Sequence, residues 1–194
     1  MRVVAATGNP GKLRELSALL APLGVEVVPQ SAFGIAPPPE TGASFLDNAL
    51  IKARHAAAVS ALPAIADDSG LEVDALGGAP GVHSARFAGD GADDAANNAK
   101  LLAALLNVPQ GKRSARYRAV IVFVRTTNDP VPLVGEGRWE GRIARAPRGA
   151  GGFGYDPLFE PLDAPGTAAE LAPSEKNARS HRGAALRALA AQWR

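Results

Sequence analysis

The first quarter of the chain shows a hydrophobic pattern typical of alternating strands and helices. Residues 3–6 form a short β-type run that ends in turn formers, and from Lys12 onward leucines recur at helical spacing until Gly24. This pattern predicts a strand, a tight loop and a helix with Gly24 as its C-cap. Residues 25–28 follow as a second predicted strand.

A longer helix and two short strands are predicted next. Ser44, with Asp47 three residues later, resembles a capping box and predicts a helix that ends near Leu62. Residues 64–66 then predict a brief strand, and residues 71–76 predict another. The residues between these two strands have the composition of an acidic turn.

The second half predicts a helix, a hairpin and a final helix. Residues 93–106 carry leucines on one helical face, after a long glycine-rich loop. Residues 117–124 are strongly β-branched, and turn residues separate them from a second run at residues 131–139, which favours an antiparallel pair. The last helix should begin near Ser174 or Ser180.

The order of these elements predicts the fold class. Helices and strands alternate first and a hairpin follows, so the sheet should be mixed. We therefore predict an α/β fold with helices flanking a mixed β-sheet. The length suits a single domain over residues 1–194, or at most two lobes of one domain.

Composition excludes several functions. The chain has no cysteine, which excludes disulfides, zinc–thiolate sites and a thiol nucleophile. Its formal net charge of +2 is too small to indicate a nucleic-acid or membrane partner. No apolar run is long enough for a signal peptide or a membrane span, so we expect a soluble cytoplasmic protein.

Two adjacent carboxylates, Asp67 and Asp68, follow a predicted buried strand. This position would place them at the carboxyl end of the sheet, where open α/β folds bind their ligands. Glu40, on a separate loop, could supply a third oxygen ligand, and such a set fits magnesium shared with phosphate. The alternative is that both aspartates only form a turn before Gly70, and the pair alone does not decide between the two.

The turn between the first strand and the first helix is a candidate anion site. It consists of Thr7, Gly8, Asn9, Pro10, Gly11 and Lys12. Backbone N–H groups, the helix N-terminus and the Lys12 ammonium would converge there, which favours a triphosphate. The segment is not a Walker motif, because Leu13 follows Lys12 where a Ser or Thr is required. Glycine-bearing turns of this kind are also common without a ligand.

A glycine-rich loop at residues 149–154 matches the dinucleotide-binding pattern letter by letter. We reject that match, because Tyr155 and Asp156 follow where a helix should begin. The loop instead brings backbone close to Phe153 and Tyr155, on whose rings a base could stack. Judged alone, it is better interpreted as an aromatic-anchored surface turn.

Basic side chains near helices complete the candidates. Lys176, His181 and Arg182 lie in or near the last predicted helix and could donate hydrogen bonds to phosphate or base oxygens. Judged alone, such residues more often belong to a solvated helix face, and Lys52 is interpreted as exposed for the same reason. The chain has no His-Glu-x-x-His zinc motif and no Gly-x-Ser-x-Gly nucleophile elbow, which argues against those chemistries.

Taken in order, six blocks of sequence resemble the inosine triphosphate pyrophosphatase family, also called XTP/dITP diphosphatases. The resemblance covers essentially the whole chain, and ordered blocks are far more specific than any one of them. The blocks are Thr7-Gly8-Asn9-Pro10-Gly11-Lys12, Glu40-Thr41-Gly42 with Phe45, Asn48-Ala49 and Lys52-Ala53, Asp67-Asp68-Ser69-Gly70-Leu71, Gly77-Gly78-Ala79-Pro80-Gly81 with Ser84-Ala85-Arg86, Gly152-Phe153-Gly154-Tyr155-Asp156-Pro157, and Ser180-His181-Arg182-Gly183.

The resemblance implies a role for each candidate residue. It makes Asp68 the proton acceptor that activates water and, together with Glu40, a magnesium ligand. It implies phosphate contacts from Thr7, Gly8, Asn9, Pro10, Gly11 and Lys12. It implies nucleotide binding by Ser69, Phe153, Gly154, Tyr155, Asp156, Lys176, His181 and Arg182.

The family's fold and reaction complete the expectation. The resemblance implies an elongated mixed α/β structure, with the active site in a cleft between two lobes and usually assembled as a homodimer. It implies magnesium-dependent hydrolysis of dITP, ITP and XTP to the monophosphate and pyrophosphate, which would cleanse the nucleotide pool. Two alternatives stay open: a pyrophosphatase of similar fold acting on other modified nucleotides, and a module that binds a nucleotide without hydrolysing it.

Overall fold

The computed structural model describes residues 1–193. The strands in this part of the chain are β1 (Arg2–Ala5), β2 (Glu26–Pro29), β3 (Ala64–Val73), β4 (Ser114–Val124), β5 (Leu133–Ile143) and β6 (Phe159–Pro161). The helices are α1 (Pro10–Leu20), α2 (Phe45–Ser60), α3 (Asp94–Ala104), α4 (Pro173–Arg179) and α5 (His181–Ala190). Short 3-10 helices connect several of these elements.

The strands form one sheet in the order β2-β1-β3-β4-β5-β6. β1 is parallel to both β2 and β3, with Val3 opposite Val27 in the first pair. β5 and β6 are antiparallel, with Ile143 opposite Phe159. The predicted mixed α/β fold is therefore confirmed, and β4 and β5 are neighbours, as the predicted hairpin requires.

The contacts divide the chain into two compact units. The first unit consists of Met1–Asp68, Ala119–Gly137 and Arg182–Arg194. The second consists of Ser69–Arg118 and Arg138–His181. As a result, β3, β4 and β5 each contribute residues to both units, and neither unit is a continuous piece of the chain.

Each unit has its own hydrophobic core. In the first, side chains of β1, β3 and β4 pack against α1 and α5, with Val3, Leu16, Leu20, Ile65, Ile121 and Leu189 fully buried. In the second, β3, β4 and β5 pack against α3, with Leu71, Leu101, Leu105, Ile143, Leu158 and Phe159 fully buried. The leucine spacing that predicted α1 is therefore the spacing of its buried face.

A buried arginine completes the end of α3 in the second unit. Arg113 donates hydrogen bonds to the carbonyl oxygens of Leu105 at 2.6 Å, Val108 at 3.1 Å and Ala144 at 3.1 Å. The last carbonyls of a helix have no partner within the helix, so a side-chain donor stabilises them. Arg113 thus ties the end of α3 to the segment that follows β5.

The longest of the described helices, α2, begins at the predicted capping box. Ser44 Oγ accepts a hydrogen bond from the backbone N–H of Asp47, and the Asp47 carboxylate accepts one from the N–H of Ser44. Both of these backbone N–H groups, which have no partner within the helix, are thereby hydrogen-bonded, and this fixes the start of the helix. Within residues 1–193, no helix is long and apolar enough to cross a membrane.

The prediction of two strands around an acidic turn is wrong. β3 is a single strand of 10 residues, with Asp67 and Asp68 in its interior and not at its end. Aspartate disfavours strands, but here both carboxylates are buried against cationic side chains. These long-range contacts offset the local preference, and they also rule out the interpretation of the two aspartates as mere turn formers.

Two further boundaries differ from the prediction. The last helical region is divided at Ser180, whose extended backbone separates α4 from α5. The long loop at residues 77–91 contains a 3-10 helix at Gly81–Arg86. Gly24 does take the left-handed conformation expected of a C-cap, with φ of 69°, but it closes a 3-10 turn that follows α1.

Candidate functional site

One lysine ammonium holds the two predicted magnesium ligands together in the first unit. Lys52 Nζ lies 2.6 Å from Asp68 Oδ1 and 3.0 Å from Glu40 Oε1. It also donates a hydrogen bond to the carbonyl oxygen of Asp67 at 3.0 Å. Asn48, one turn earlier on α2, donates to Asp68 Oδ2 at 3.4 Å. The two carboxylates therefore converge on a single positive charge.

The interpretation of Lys52 as an exposed side chain is wrong. Only 8% of Lys52 is accessible, because it lies on the face of α2 that packs inward. A signal for this existed in the sequence: Asn48 and Lys52 are four residues apart, and Ala49, Ala53 and Ala56 mark the same side of the helix as buried.

Asp67 belongs to a different ion cluster in the same unit. Its Oδ2 lies 2.8 Å from Lys12 Nζ and 3.3 Å from Arg182 Nη2. Arg182 also donates a hydrogen bond to the carboxylate of Glu15. Successive side chains of a strand point to opposite faces, which explains why adjacent aspartates have different partners.

The two clusters shift the pKa values of these aspartates in opposite directions. Burial alone would raise the pKa of Asp67, but Arg182 and Lys12 outweigh it and hold the pKa well below its usual range. Burial raises the pKa of Asp68, and Lys52 only partly opposes this. Burial also lowers the pKa of Lys52, but Asp68 and Glu40 more than offset it, so Lys52 remains an ammonium at neutral pH.

The predicted phosphate loop caps α1 with its own side chains. Asn9 Oδ1 accepts hydrogen bonds from the backbone N–H of Gly11 at 2.8 Å and of Lys12 at 3.1 Å. Thr7 Oγ1 accepts one from the N–H of Asn9 at 3.1 Å. Pro10 stands in the first turn, where its missing N–H costs no hydrogen bond. Three of the predicted backbone donors thus already have acceptors within the loop.

In the second unit, Asp156 organises the glycine-rich loop. Its Oδ2 accepts hydrogen bonds from Lys176 Nζ at 2.7 Å and from the backbone N–H of Phe153 at 2.9 Å. Its Oδ1 accepts one from the Tyr117 hydroxyl at 3.2 Å. A Cβ added to Gly152 would lie 2.1 Å from Asp156 Oδ2, so only glycine allows this approach.

The aromatic residues of this region divide into buried and half-buried rings. Tyr155 is buried and donates a hydrogen bond to the carbonyl oxygen of Ser84 at 2.8 Å. Phe153 is half-buried, with the Lys176 ammonium 4.7 Å from its ring centroid. His181 stacks on Tyr117 with 4.6 Å between ring centroids. Of the two rings predicted to stack on a base, Phe153 is the one with exposed surface.

The structure places the predicted residues in two groups. Two of the points at which the chain passes from one unit to the other lie between adjacent predicted residues: Asp68 and Ser69, and His181 and Arg182. The first unit contains Thr7, Gly8, Asn9, Pro10, Gly11, Lys12, Glu40, Asp68 and Arg182. The second unit contains Ser69, Phe153, Gly154, Tyr155, Asp156, Lys176 and His181.

Comparison with known proteins identifies the family of this chain. The family model described as the Ham1 family matches residues 3–192. The chain belongs to the Ham1 family. The resemblance inferred from the six sequence blocks is therefore confirmed.

Relatives of this Ham1 chain match it over nearly the full length. A dITP/XTP pyrophosphatase from Thioalkalivibrio sulfidiphilus is 59% identical over 189 residues, which cover 97% of this chain and 96% of that protein. A dITP/XTP pyrophosphatase from Methylococcus capsulatus is 59% identical over 196 aligned residues, which cover 100% of this chain and 96% of that protein. The solved structure of a HAM1 protein from Coxiella burnetii has a TM-score of 0.90 at 49% identity, covering 99% of this chain and 98% of that one.

The acidic residues of this Ham1 protein fit a magnesium ion shared with phosphate. Within residues 1–193, no group of three His, Cys, Asp or Glu side chains is placed to hold a metal by itself. Proteins usually hold magnesium with one or two carboxylates, completed by substrate phosphates and water. Glu40 and Asp68 are such a pair, and they already share one cationic group.

Three side chains hold site residues of this Ham1 protein although the sequence motifs predicted no role for them. Asn48 bonds to Asp68, Glu15 bonds to Arg182, and Tyr117 contacts both Asp156 and His181. Asn48 lies within a motif block and could have been found there. Glu15 and Tyr117 follow ordinary helix and strand patterns, so no local signal distinguishes them.

Proposed function

We propose that this chain is a nucleoside triphosphate pyrophosphatase that hydrolyses dITP, ITP and XTP to the monophosphate and pyrophosphate. The observation that carries the proposal is the convergence of Glu40 and Asp68 on Lys52, in the unit that also contains Lys12. Two carboxylates near the buried Lys52 and the half-buried Lys12 suit a metal-bound polyanion. The near full-length similarity to dITP/XTP pyrophosphatases supports the class of substrate.

Magnesium is the proposed cofactor, with Glu40 and Asp68 as its protein ligands. When bound, it would offset negative charge on the phosphate oxygens and on the pyrophosphate leaving group. Lys12 and Lys52 would contribute fixed positive charge to the binding of the triphosphate. The Thr7 hydroxyl keeps a hydrogen that it can donate to a phosphate oxygen, since its oxygen acts as acceptor toward Asn9.

Asp68 is the proposed proton acceptor. It would take the proton of the attacking water while the water oxygen bonds to the α-phosphorus and the bond from that phosphorus to pyrophosphate breaks. Lys52 and Asn48 contact different oxygens of the Asp68 carboxylate, which restricts its orientation. A restricted orientation is what efficient proton transfer requires.

The residues of the second unit are the proposed contacts for the base. Phe153 supplies a half-buried ring for stacking, and His181 supplies a hydrogen-bond donor. Hypoxanthine and xanthine carry an acceptor oxygen at C6, where adenine carries an amino donor. A donor that faces C6 would therefore favour the first two bases, because adenine would leave two donors opposed.

We also propose that the protein is a homodimer and acts in the cytoplasm. We propose no nucleic-acid or membrane partner. The family resemblance supports the dimer, and the small net charge of +2 supports the absence of a nucleic-acid partner. Sedimentation equilibrium tests the assembly, because a dimer has twice the 19.9 kDa mass of the chain. A mass of one chain at micromolar concentration would contradict the dimer.

The experiment that tests the activity measures pyrophosphate release from ITP, dITP, XTP, dGTP and dATP, with magnesium and with EDTA. We expect magnesium-dependent release that is largely confined to the first three nucleotides. Equal activity on all five nucleotides would agree with a hydrolase but would contradict selectivity for abnormal purines. Binding without release from any of them would instead favour a nucleotide-binding module.

A further inference from the structure

Residues 149–157, which we call the Phe153 loop, are fastened to α3 through one glycine. The backbone N–H of Gly154 donates a hydrogen bond to Asp94 Oδ2 at 2.6 Å. The carbonyl oxygen of Gly154 accepts one from Asn98 Nδ2 at 2.8 Å. Both polar backbone groups of this residue are thus held by side chains that precede it by about 60 positions in the chain.

Asp94 and Asn98, which we call the α3 clamp, hold the residue next to the half-buried Phe153 ring. Gly154 directly follows Phe153 and has a φ of 63°, a left-handed conformation that glycine adopts without strain. The Phe153 loop contains no strand or α-helix. Gly151 and Asp156 bond to the backbone of Ala169, but the N–H groups of residues 153 and 154 bond to side chains. Asp156 holds the N–H of Phe153, and the α3 clamp holds the next residue. The two sets of bonds together hold the backbone that carries the Phe153 ring.

Asp94 is not needed to cap its own helix. Asp93 is the N-cap of α3, and its Oδ1 accepts a hydrogen bond from the N–H of Ala96 at 2.7 Å. The side chain of Asp94 is exposed to solvent except for its bond to the loop. Adjacent aspartates therefore differ in what they stabilise: Asp93 stabilises the helix start, and Asp94 stabilises the Phe153 loop.

The amide of Asn98 is oriented by two carbonyl groups. Its Nδ2 donates to the carbonyl oxygen of Asp94 as well as to that of Gly154, both at 2.8 Å. Its Oδ1 is buried and accepts no hydrogen bond from residues 1–193. A buried acceptor without a donor is unfavourable, so position 98 is not optimised for stability alone. The asparagine is better explained by its bond to the loop.

We propose that Asp94 and Asn98 are positioning residues, which hold the Phe153 loop in the conformation that binds the base. They would act on nucleotide affinity and not on the chemical step, because they touch neither Asp68 nor Glu40. This inference rests on the proposed function only for the nature of the ligand. The structural part, a loop ordered by Asp94, can be tested without any nucleotide.

Amide hydrogen exchange of the free protein tests the clamp directly. In Asp94→Ala, we expect exchange in the Phe153 loop to accelerate roughly tenfold or more, with little change in β4 and β5. Asp94→Asn keeps an acceptor oxygen and should restore protection. Asp90→Ala, the matched control, changes an exposed aspartate outside α3 and should leave loop exchange near the wild-type rate. Unchanged loop exchange in Asp94→Ala would overturn the proposal.

Steady-state kinetics on dITP test the consequence for function. Asp94→Ala should raise KM about tenfold while kcat changes less than about twofold, which indicates lost binding rather than lost chemistry. Asp94→Asn should recover most of the affinity, and Asp90→Ala should retain wild-type KM. Active protein whose KM is unaffected by Asp94→Ala would refute the positioning role. A wild-type protein with no activity would refute the proposed function, while hydrogen exchange would still decide the clamp.

Discussion

The side chains of Asp67 and Asp68 differ in their neighbours although they are adjacent in sequence. Asp67 contacts Lys12 and Arg182, whereas Asp68 contacts Lys52 and Asn48. Two cations fix the charge of Asp67, while Asp68 shares one ammonium with Glu40. This difference is consistent with the proposal that Asp68, and not Asp67, acts on the substrate.

Replacing Asp68 by asparagine should separate activity from folding. Asp68→Asn should lower turnover roughly 10²- to 10⁴-fold, because an amide cannot accept the proton of the attacking water. The side chain keeps its volume and Glu40 remains as a partner of Lys52, so the variant should stay folded, with a melting temperature lowered by the loss of one ion pair. Pyrophosphate release and thermal unfolding measure the two effects. Wild-type turnover in this variant would remove Asp68 from the mechanism.

Lys52 gives a prediction that does not depend on turnover. Lys52→Met should destabilise the magnesium-free protein by about 3–5 kcal/mol, because two buried or half-buried carboxylates lose the cation between them. Magnesium should then raise the melting temperature of this variant more than that of the wild type, since the ion would replace the lost charge.

Thermal unfolding in EDTA and in magnesium chloride measures this difference. Lys112→Met is the matched control, because Lys112 is exposed and should show neither the loss of stability nor the magnesium effect. If magnesium raises the melting temperature of Lys52→Met and of the wild type equally, Lys52 and the metal do not share a site.

At the residue scale, the motifs indicated candidate site residues but not the side chains that hold them. The blocks are local in sequence, so they could be found by inspection. The supporting bonds are not local: Glu15 and Arg182 are 167 positions apart, and Tyr117 and Asp156 are 39 apart. No propensity or spacing rule connects residues at such separations.

At the element scale, caps and periodicity predicted the helices well. α2 begins where its capping box lies, because the signal is contained in four consecutive residues. These rules could not predict β3 and β6. β3 contains residues that favour turns, and its burial depends on ion pairs from α1 and α2. β6 has only three residues and exists through its pairing with β5.

The connection between β4 and β5 depends on one buried carboxylate. Asp129 Oδ2 accepts hydrogen bonds from the backbone N–H and the guanidinium of Arg125 at 2.9 and 3.1 Å. Its Oδ1 accepts one from the backbone N–H of Val131 at 3.0 Å. The hydrogen bond from the N–H of Arg125 is the main reason why the pKa of Asp129 lies below its usual value. Burial opposes this shift, and the hydrogen bond from Val131 lowers the pKa further.

The lowered pKa of Asp129 predicts an acid-dependent loss of stability. A carboxyl with a lowered folded-state pKa stabilises the fold above its unfolded pKa, near pH 4, and that contribution is lost as the pH falls through the folded-state pKa. Asp129→Asn should lower the free energy of unfolding at pH 7 by about 1–2 kcal/mol. Urea unfolding from pH 7 to pH 2 should show this difference shrinking below about pH 4.

A control for Asp129→Asn is Asp90→Asn, which changes an exposed aspartate of another loop. This variant should stay within about 0.5 kcal/mol of the wild type at every pH. A constant difference between Asp129→Asn and the wild type across the whole range would show that the charge of Asp129 contributes nothing.

At the scale of the whole molecule, the mixed α/β class could be predicted from the alternation of elements. Which segments make up each of the two units could not be predicted, because this depends on contacts between distant parts of the chain. The first unit illustrates this best. Its core combines Val3 from the beginning of the chain with Ile121 from the middle and Leu189 from the end.

Leu189 should therefore be essential to the stability of the first unit. It is fully buried, and Leu189→Ala should lower the free energy of unfolding by about 2–5 kcal/mol through lost contacts and a cavity. Chemical denaturation measures the change. Leu162→Ala, at a position 72% exposed, is the matched control and should cost less than about 0.5 kcal/mol. Equal effects of both substitutions would contradict this account of the core.

The contribution of α5 to the first core also has a consequence for synthesis on the ribosome. Residues 1–68 leave the ribosome early, yet Ala185, Leu186 and Leu189 of their core are still unsynthesised or inside the exit tunnel. Residues 181–190 must therefore leave the exit tunnel before this core can close. The first unit should therefore complete its folding only when α5 has emerged, with the apolar surface of β1 and α1 accessible to chaperones until then.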